Sequence, residues 1–356
     1  MNDDARFMRR ALALAKRGRG LVSPNPMVGC VLVKNGRVVG EGWHRNFGGP
    51  HAEPMALAKA GRAARGATAF VNLEPCCFFG KTAACTEALK KAGVSRVVFG
   101  VRDPNPRVAG KGKAALRRAV VAVEEGLLAQ PCEALNRAFF TWIRKGRPYV
   151  ILKAAASLDG RIQTVSGQSK WITSPAARAM SRKMRSEVDA ILVGRGTVVA
   201  DDPRLTGTGR RHPLRIVLDS RQNTPRGAKL LTQPGISLIV SSKAPNGRLP
   251  ATAAVEHLRV PLLGRRVDLR KALAAIAKRG VTSLLVEGGS EIHTAFLEAG
   301  LVDEVRLFLA PSLLGGEAAR SFFEGKGFAS LAKAPRLEAT SMRRVGPDFL
   351  LTGRVA

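Results

Sequence analysis

Gly49-Pro50-His51-Ala52-Glu53, followed by Leu73-Glu74-Pro75-Cys76 and then Cys85, is the stretch that decides how the rest of the chain reads. It supplies one imidazole, two thiols and one carboxylate. Three protein ligands suit a zinc ion with one open position, where a bound water ionises near neutral pH. A carboxylate two residues from the histidine, and not itself a ligand, is placed to move a proton. Ala52 to Ala64 reads as a helix, so His51 and Glu53 fall at a helix N-terminus. Ala67 to Leu73 reads as a strand running into Cys76, and Thr82 to Lys91 as a helix with Cys85 in its first turn. At both helix starts the dipole favours thiolate over thiol.

The donors in this order match the signature of zinc hydrolytic deaminases, with His51, Cys76 and Cys85 as ligands and Glu53 as proton shuttle. The spacing departs from it. The signature puts two residues between its cysteines, whereas Cys77 to Ala84 lie between these. Cys77 is a rival ligand, although adjacent side chains rarely turn to one ion. Taken singly, His51 reads equally as a buried, hydrogen-bonded histidine and the thiols as small core residues. Only the ordered set favours a metal.

Working outward, 356 residues suggest two domains. No apolar run approaches the roughly 18 residues needed to cross a bilayer. Met1-Asn2-Asp3-Asp4 lacks the apolar core of a signal peptide. Five cysteines, three of them between 76 and 85, suggest a metal site in a reducing cytoplasm rather than a disulfide framework. The net charge of +31 attracts anions such as phosphorylated metabolites, dinucleotides or nucleic acids. It reads equally as a solvated, Arg-rich surface, because the charge is spread along the chain.

Residues 1–145 alternate helices and strands: a helix over Asp4 to Arg17, strands over Met27 to Val33, Arg37 to Gly42 and Val94 to Val101, and a helix over Glu133 to Arg144. Asn35-Gly36 is a hairpin signal. Lys145-Gly146-Arg147-Pro148 is the expected boundary, giving domains 1–146 and 147–356. Strands then read at Tyr149 to Ala155, Ala190 to Val193, Leu214 to Leu218, Ile236 to Val240, Leu284 to Val286 and Val305 to Ala310, with helices over Pro175 to Glu187 and Asp268 to Lys278. That alternation implies a largely parallel α/β sheet. Leu337 to Val355 reads as an antiparallel hairpin turning at Gly346-Pro347-Asp348. Glu287-Gly288-Gly289 follows a buried-type strand and precedes a helix, where backbone N–H groups can bind a pyrophosphate. A tight turn is the plainer reading, since the full G-x-G-x-x-G fingerprint is absent. Arg195, Thr197 and Asp201-Asp202-Pro203 follow another strand end, where α/β sheets place ligands.

Together these residues resemble the bifunctional riboflavin biosynthesis family, a pyrimidine deaminase fused to a uracil-type reductase. The resemblance rests on Pro24-Asn25-Pro26-Met27-Val28-Gly29, the His51 and Cys76 segments, Gly80-Lys81-Thr82 with Cys85, Asp103-Pro104-Asn105-Pro106, Ser157-Leu158-Asp159-Gly160, Gly167 to Thr173, Thr197 to Pro203, Arg215 to Asp219 and Glu287-Gly288-Gly289. It accommodates the long gap between the cysteines. It implies a cytidine-deaminase-like α/β/α domain followed by a dihydrofolate-reductase-like α/β domain, with Zn2+ and NADPH as cofactors. It further implies that Asn25, His44 and Lys81 line the deaminase substrate site. In the reductase, Lys153, Ser169, Arg185, Asp202, Leu205 and Glu287 would meet substrate. Ala155, Trp171, Thr197, Asp201, Ser220, Gly289, Ser290 and Glu291 would meet NADPH. The implied partner is a small phosphorylated pyrimidine. A cytoplasmic homodimer or larger assembly is expected, with no nucleic-acid or membrane partner.

The chain departs from the family pattern twice. Phe78 stands where a histidine is usual, and it cannot hydrogen-bond. After Leu205-Thr206 a phosphate-binding arginine is usual, and Arg210 or Arg211 is the nearest substitute here. Two rivals remain. A nucleic-acid deaminase would want aromatic stacking platforms, yet aromatics are 5% with one Tyr. A reductase with a zinc-stabilised, non-catalytic first domain would not require Glu53.

Overall fold

The computed structural model describes residues 3–79, 83–209, 212–244 and 254–356. The chain divides into two compact units, Met1–Arg147 and Pro148–Ala356.

In chain order the first unit comprises α1 (Asp3–Ala15), β1 (Gly29–Lys34), β2 (Arg37–Trp43), α2 (Ala52–Ala60), β3 (Thr68–Leu73), α3 (Cys85–Lys91), β4 (Arg96–Val101), α4 (Lys111–Arg118), β5 (Ala122–Glu125), α5 (Ala129–Leu135) and α6 (Arg137–Lys145). Its sheet runs β2-β1-β3-β4-β5. β1 is antiparallel to both neighbours, and β3, β4 and β5 are parallel. Alternate side chains on a strand face opposite sides, and here each side meets a different helix layer. Cys30, Leu32, Ala69 and Val71 pack with Ala52, Ala56 and Ala60 of α2. Val31, Val33 and Phe70 pack with Phe7, Met8 and Leu12 of α1. The α2 backbone lies almost on the sheet. A Cβ at Gly42 would stand 2.3 Å from the Ala52 carbonyl oxygen, and one at Gly40 2.3 Å from that of Ala56. Glycine at those positions holds His51 and Glu53 against the strand ends.

The helix read from the sequence over Glu133 to Arg144 is in fact two, α5 and α6. Asn136 breaks it, because its amide accepts from Met27 N–H at 2.8 Å and donates to Met27 C=O at 2.9 Å. Such bonds compete with helix continuation. The long α2 reading also ends early: Gly61–Ala64 is a turn of 3-10 helix. α4 and β5 were not read from the sequence.

The second unit comprises β6 (Tyr149–Ser157), α7 (Pro175–Arg185), β7 (Ala190–Gly194), α8 (Arg195–Asp201), β8 (Leu214–Leu218), α9 (Lys229–Thr232), β9 (Ile236–Ser241), β10 (Ala254–Arg259), β11 (Leu262–Leu263), β12 (Arg266–Val267), α10 (Leu269–Lys278), β13 (Ser283–Val286), α11 (Ser290–Glu298), β14 (Glu304–Ala310), β15 (Leu337–Val345) and β16 (Asp348–Val355). Its nine-stranded sheet runs β10-β9-β8-β7-β13-β6-β14-β16-β15. The strands from β10 to β14 are parallel, and β16 and β15 close the edge antiparallel. The late strand β13 inserts between β6 and β7, which brings Val286 beside Leu152 and so Glu287 beside Lys153. The parallel strands carry near-continuous apolar runs, as both-face burial demands. Val150, Leu152, Leu192, Ile216, Leu238 and Leu284 form their core. No helix among the described residues is long and apolar enough to cross a membrane.

Two candidate active sites

In the first unit His51 is the residue before α2 and Cys85 the first residue of α3, while Cys76 follows the end of β3. Their donor atoms lie within 4.8 Å of one another. His51 Nδ1 is 3.2 Å from Cys85 Sγ and 3.6 Å from Cys76 Sγ. Tetrahedral zinc with ordinary bond lengths separates a nitrogen and a sulfur ligand by about 3.6 Å, so this donor set fits the ion. Cys77 turns away, toward the Arg107 carbonyl at 3.7 Å. Cys76 is drawn down to about 4, first by a hydrogen bond from Cys85 and, against burial, by His51. Cys85 is pushed up by the same bond.

Glu53 is 3% exposed on the first turn of α2. Burial is the main cause that raises its carboxyl, and the Cys76 charge adds to it. Asn25 and His44 meet beside this cluster, with Asn25 Nδ2 to His44 Nε2 at 3.1 Å. His44 Nδ1 donates to the Pro50 carbonyl at 2.9 Å, so Nε2 is the lone-pair nitrogen that accepts from Asn25. Burial lowers the His44 pKa and keeps the ring neutral. Its ring lies 5.3 Å from that of His51. Phe78 is half-buried under the Arg107 guanidinium, 4.0 Å from its ring centroid. Lys81 lies outside the described residues.

Sequence reading passed over two acids here. Buried Glu74 accepts from the backbone N–H groups of Asp103, Gly110 and Lys113 at 3.0–3.3 Å, and so ties the α4 loop to Cys76. Asp103, 7% exposed, is raised to about 6, chiefly by burial. The clue was their place in the Glu74-Pro75-Cys76 and Asp103-Pro104-Asn105-Pro106 motifs.

The second unit holds a cavity of about 1180 Å³ whose lining includes all fourteen reductase residues expected from the sequence, from Lys153 and Ala155 to Ser290 and Glu291. Lys153 and Ala155 share the cavity side of β6 by the period of two. Glu287 takes a bidentate hydrogen bond from Arg185, both contacts at 2.8 Å, and lies 3.7 Å from Lys153 Nζ. All three are largely enclosed, with side chains 14%, 19% and 7% exposed for Lys153, Arg185 and Glu287. Burial alone would raise Glu287, but Arg185 and then Lys153 bring it to about 2. Desolvation lowers Lys153. Trp171 is not core: it is 70% exposed beneath Arg178, 4.4 Å away. Ser169 donates to Asp201 at 3.3 Å, Asp202 is held by Lys229, and Leu205 is buried. The Ser220 hydroxyl accepts from Val267 N–H. Gly289 N–H reaches Thr197 Oγ1 at 3.2 Å at the head of α11. Ser290 is buried with its hydroxyl spent on Glu324 at 2.6 Å, so its backbone alone faces a ligand. Glu291 pairs with Arg266. Arg210 and Arg211 lie outside the described residues. Arg195 and His293 also line the cavity and were not assigned from the sequence. His293 is 2% exposed with Nε2 unpartnered, and burial lowers it to about 4.

Residues 1–101 match the pattern described as the cytidine and deoxycytidylate deaminase zinc-binding region, and residues 148–351 that of the RibD C-terminal domain. The riboflavin biosynthesis protein RibD of Bacillus amyloliquefaciens is 42% identical over 97% of this chain and 95% of its own. That of Escherichia coli is 42% identical over 98% of both chains. The chain belongs to the RibD family. Its fold agrees throughout with solved members. Acinetobacter baumannii RibD superposes with a TM-score of 0.91 at 38% identity, covering 99% of each chain. The Thermotoga maritima structure described as a diaminohydroxyphosphoribosylaminopyrimidine deaminase/5-amino-6-(5-phosphoribosylamino)uracil reductase gives 0.90 at 35%, again over 99% of each. The protein is a bifunctional enzyme of riboflavin biosynthesis that joins a zinc-dependent deaminase to an NADPH-dependent reductase.

Proposed function

We propose that the first unit hydrolytically deaminates 2,5-diamino-6-(5-phosphoribosylamino)pyrimidin-4-one. The second unit then reduces the ribosyl chain of 5-amino-6-(5-phosphoribosylamino)uracil to ribityl. The observation that carries the first step is the convergence of His51, Cys76 and Cys85 within 4.8 Å beside buried Glu53. Zinc held by those three residues supplies an acidified water and electrostatic stabilisation of the transition state. Glu53 takes a proton from the attacking water and returns it to the departing nitrogen, which leaves as ammonia. A buried carboxyl with a raised pKa suits that exchange. Asn25, neutral His44 and Lys81 hold the pyrimidine and its ribose phosphate.

In the second unit NADPH supplies the hydride that adds to C1 of the opened ribose. Ala155, Trp171, Thr197, Asp201, Ser220 and the Gly289–Glu291 backbone orient it. Ser169, Asp202 and Leu205 line the substrate side, and Arg185 faces the substrate phosphate from its seat on Glu287. The proton step falls to Lys153 rather than Asp202. Lys153 is largely enclosed with a lowered pKa, while half-exposed Asp202 is occupied by Lys229 and its pKa is lowered, so it holds no proton to give. A cytoplasmic homodimer or larger assembly belongs to the same proposal. None of the five cysteines is in a disulfide, which suits a reducing compartment.

The test is one reaction of zinc-loaded protein with the diaminopyrimidine ribose phosphate, following ammonia and NADPH together. Ammonia release preceding NADPH loss is expected. NADPH loss only when the uracil compound is supplied would instead favour a reductase with a silent first unit, the reading that Phe78 motivates.

A further inference from the structure

The second-unit cavity crosses the carboxyl halves of five neighbouring strands: Phe308 of β14, Lys153 of β6, Glu287 after β13, Gly194 of β7 and Leu218 of β8 all line it. At about 4.8 Å per strand, four steps span roughly 19 Å. That is room for a dinucleotide laid across the sheet. Lys153, Arg185 and Glu287 hold one end, and the head of α11 with Thr197 lies between. Arg195 and Ser220 hold the other end. A ribose lying there is read at its 2′ position. In doubly wound sheets an acid at a strand end takes a 2′-hydroxyl, whereas an arginine accommodates a 2′-phosphate.

The acid at the end of β8 is Asp219, and it is unavailable. It is 2% exposed and does not line the cavity. Its Oδ1 accepts from Arg221 N–H at 3.3 Å, and its Oδ2 from Thr224 N–H at 2.6 Å and Thr224 Oγ1 at 2.7 Å. The adjacent strand end offers Arg195 instead, the first residue of α8, one step past the Gly194–Leu218 pair. Its Nε donates to the Asn223 carbonyl at 3.2 Å, which sets the guanidinium over the Asp219–Thr224 turn. Neither Nη bonds any described residue. The other cations of that wall are engaged: Arg266 with Glu291, Lys229 with Asp202, and Arg270 with the Ala299 carbonyl.

We infer that Arg195 is the residue that selects a 2′-phosphorylated dinucleotide over its unphosphorylated counterpart. The inference rests on the reductase reading above. Arg195 donates from its two Nη groups to the 2′-phosphate, and Asp219, locked in its turn, does not repel it. The test compares steady-state kinetics with NADPH and NADH for Arg195→Gln and for Arg221→Gln. Arg221 is exposed in the same turn but does not line the cavity, so it controls for loss of charge alone. Arg195→Gln is expected to raise the KM for NADPH about 10- to 100-fold, the range for losing charge-assisted bonds. The KM for NADH and the kcat at saturation stay within about twofold, and Arg221→Gln changes neither KM by more than about twofold. An unchanged NADPH KM, an equal rise for both coenzymes, or an equal effect of Arg221→Gln overturns the assignment. Failure of the unsubstituted protein to oxidise NADPH with the uracil substrate overturns the reductase reading instead.

Discussion

Replacing Glu287 by Gln keeps its size and removes the one charge that two buried cations share. The loss can be worked in two ways. Glu287 falls from an ordinary 4.5 to about 2 in the folded chain, which corresponds to about 3 kcal/mol at neutral pH. Mutational experience with buried pairs broken on one side gives about 3–5 kcal/mol. Because the folded value lies below the unfolded one, the stabilisation is full above about pH 4.5. It declines as pH falls toward 2, and at pH 3 about half remains. The assay is a urea titration read by hydrogen exchange in peptides from β6 and β13, which reports the second unit alone. Glu287→Gln should unfold that unit about 3 kcal/mol more easily at pH 6 and by about half as much at pH 3. A deficit below about 1 kcal/mol at pH 6, or one that does not shrink in acid, would show that Arg185 and Lys153 do not depend on this carboxylate.

Four changes elsewhere have defined outcomes. Glu53→Gln should cut ammonia release at least about 100-fold while zinc content by elemental analysis stays at one per chain of the unsubstituted protein; retained deamination would remove Glu53 from the chemistry. Asn136→Ala removes both of its bonds to Met27, leaving the Met27 N–H unpaired while the carbonyl keeps Asn72 Nδ2 at 3.0 Å. It should cost the first unit about 1–3 kcal/mol in chemical denaturation and weaken substrate binding through Asn25, two residues away. Phe78→His should lower the KM of deamination by about 2- to 10-fold, the worth of one hydrogen bond, with zinc content unchanged; no change would mean that Arg107, stacked on Phe78, already serves the ligand. The fourth, a salt titration, bears on the charge and closes the argument below.

What the sequence disclosed follows from where chemistry is local. His51, Glu53 and Cys76 sit in short motifs at element ends, so the candidate metal cluster was legible from residue type and order. The apolar runs of β1, β3, β6 and β7 disclosed the α/β architecture in the same way. The position of β13 was not legible, because nothing local says that a strand after residue 280 enters between two strands made before residue 195. That insertion creates the Lys153–Glu287–Arg185 cluster. Residue types that read equally as surface charge therefore become a buried triad. His293 was missed for a related reason: a lone histidine in a helix carries no signal until the cavity around it is closed. Arg195 was noted only as a strand-end residue, with no role of its own assigned.

The net charge of +31 invited an explanation by phosphorylated ligands, and the cavity limits how much that explains. Eleven Lys or Arg and six Asp or Glu line it, an excess of about five. The rest is spread over solvated surface, where each charge is screened beyond about 8 Å at physiological salt. A field of that kind acts on encounter more than on the bound state. Raising salt from about 50 to 500 mM should therefore lower kcat/KM for NADPH about tenfold while kcat holds. Arg195→Gln should keep most of that slope, since the surface and not one guanidinium sets it. A flat salt profile would mean that the charge neither steers nor repels ligands. A fall in kcat with salt would instead place salt-sensitive charges at the reacting centre and overturn the assignment to the surface, since the Lys153 and Glu287 side chains there are only 14% and 7% exposed.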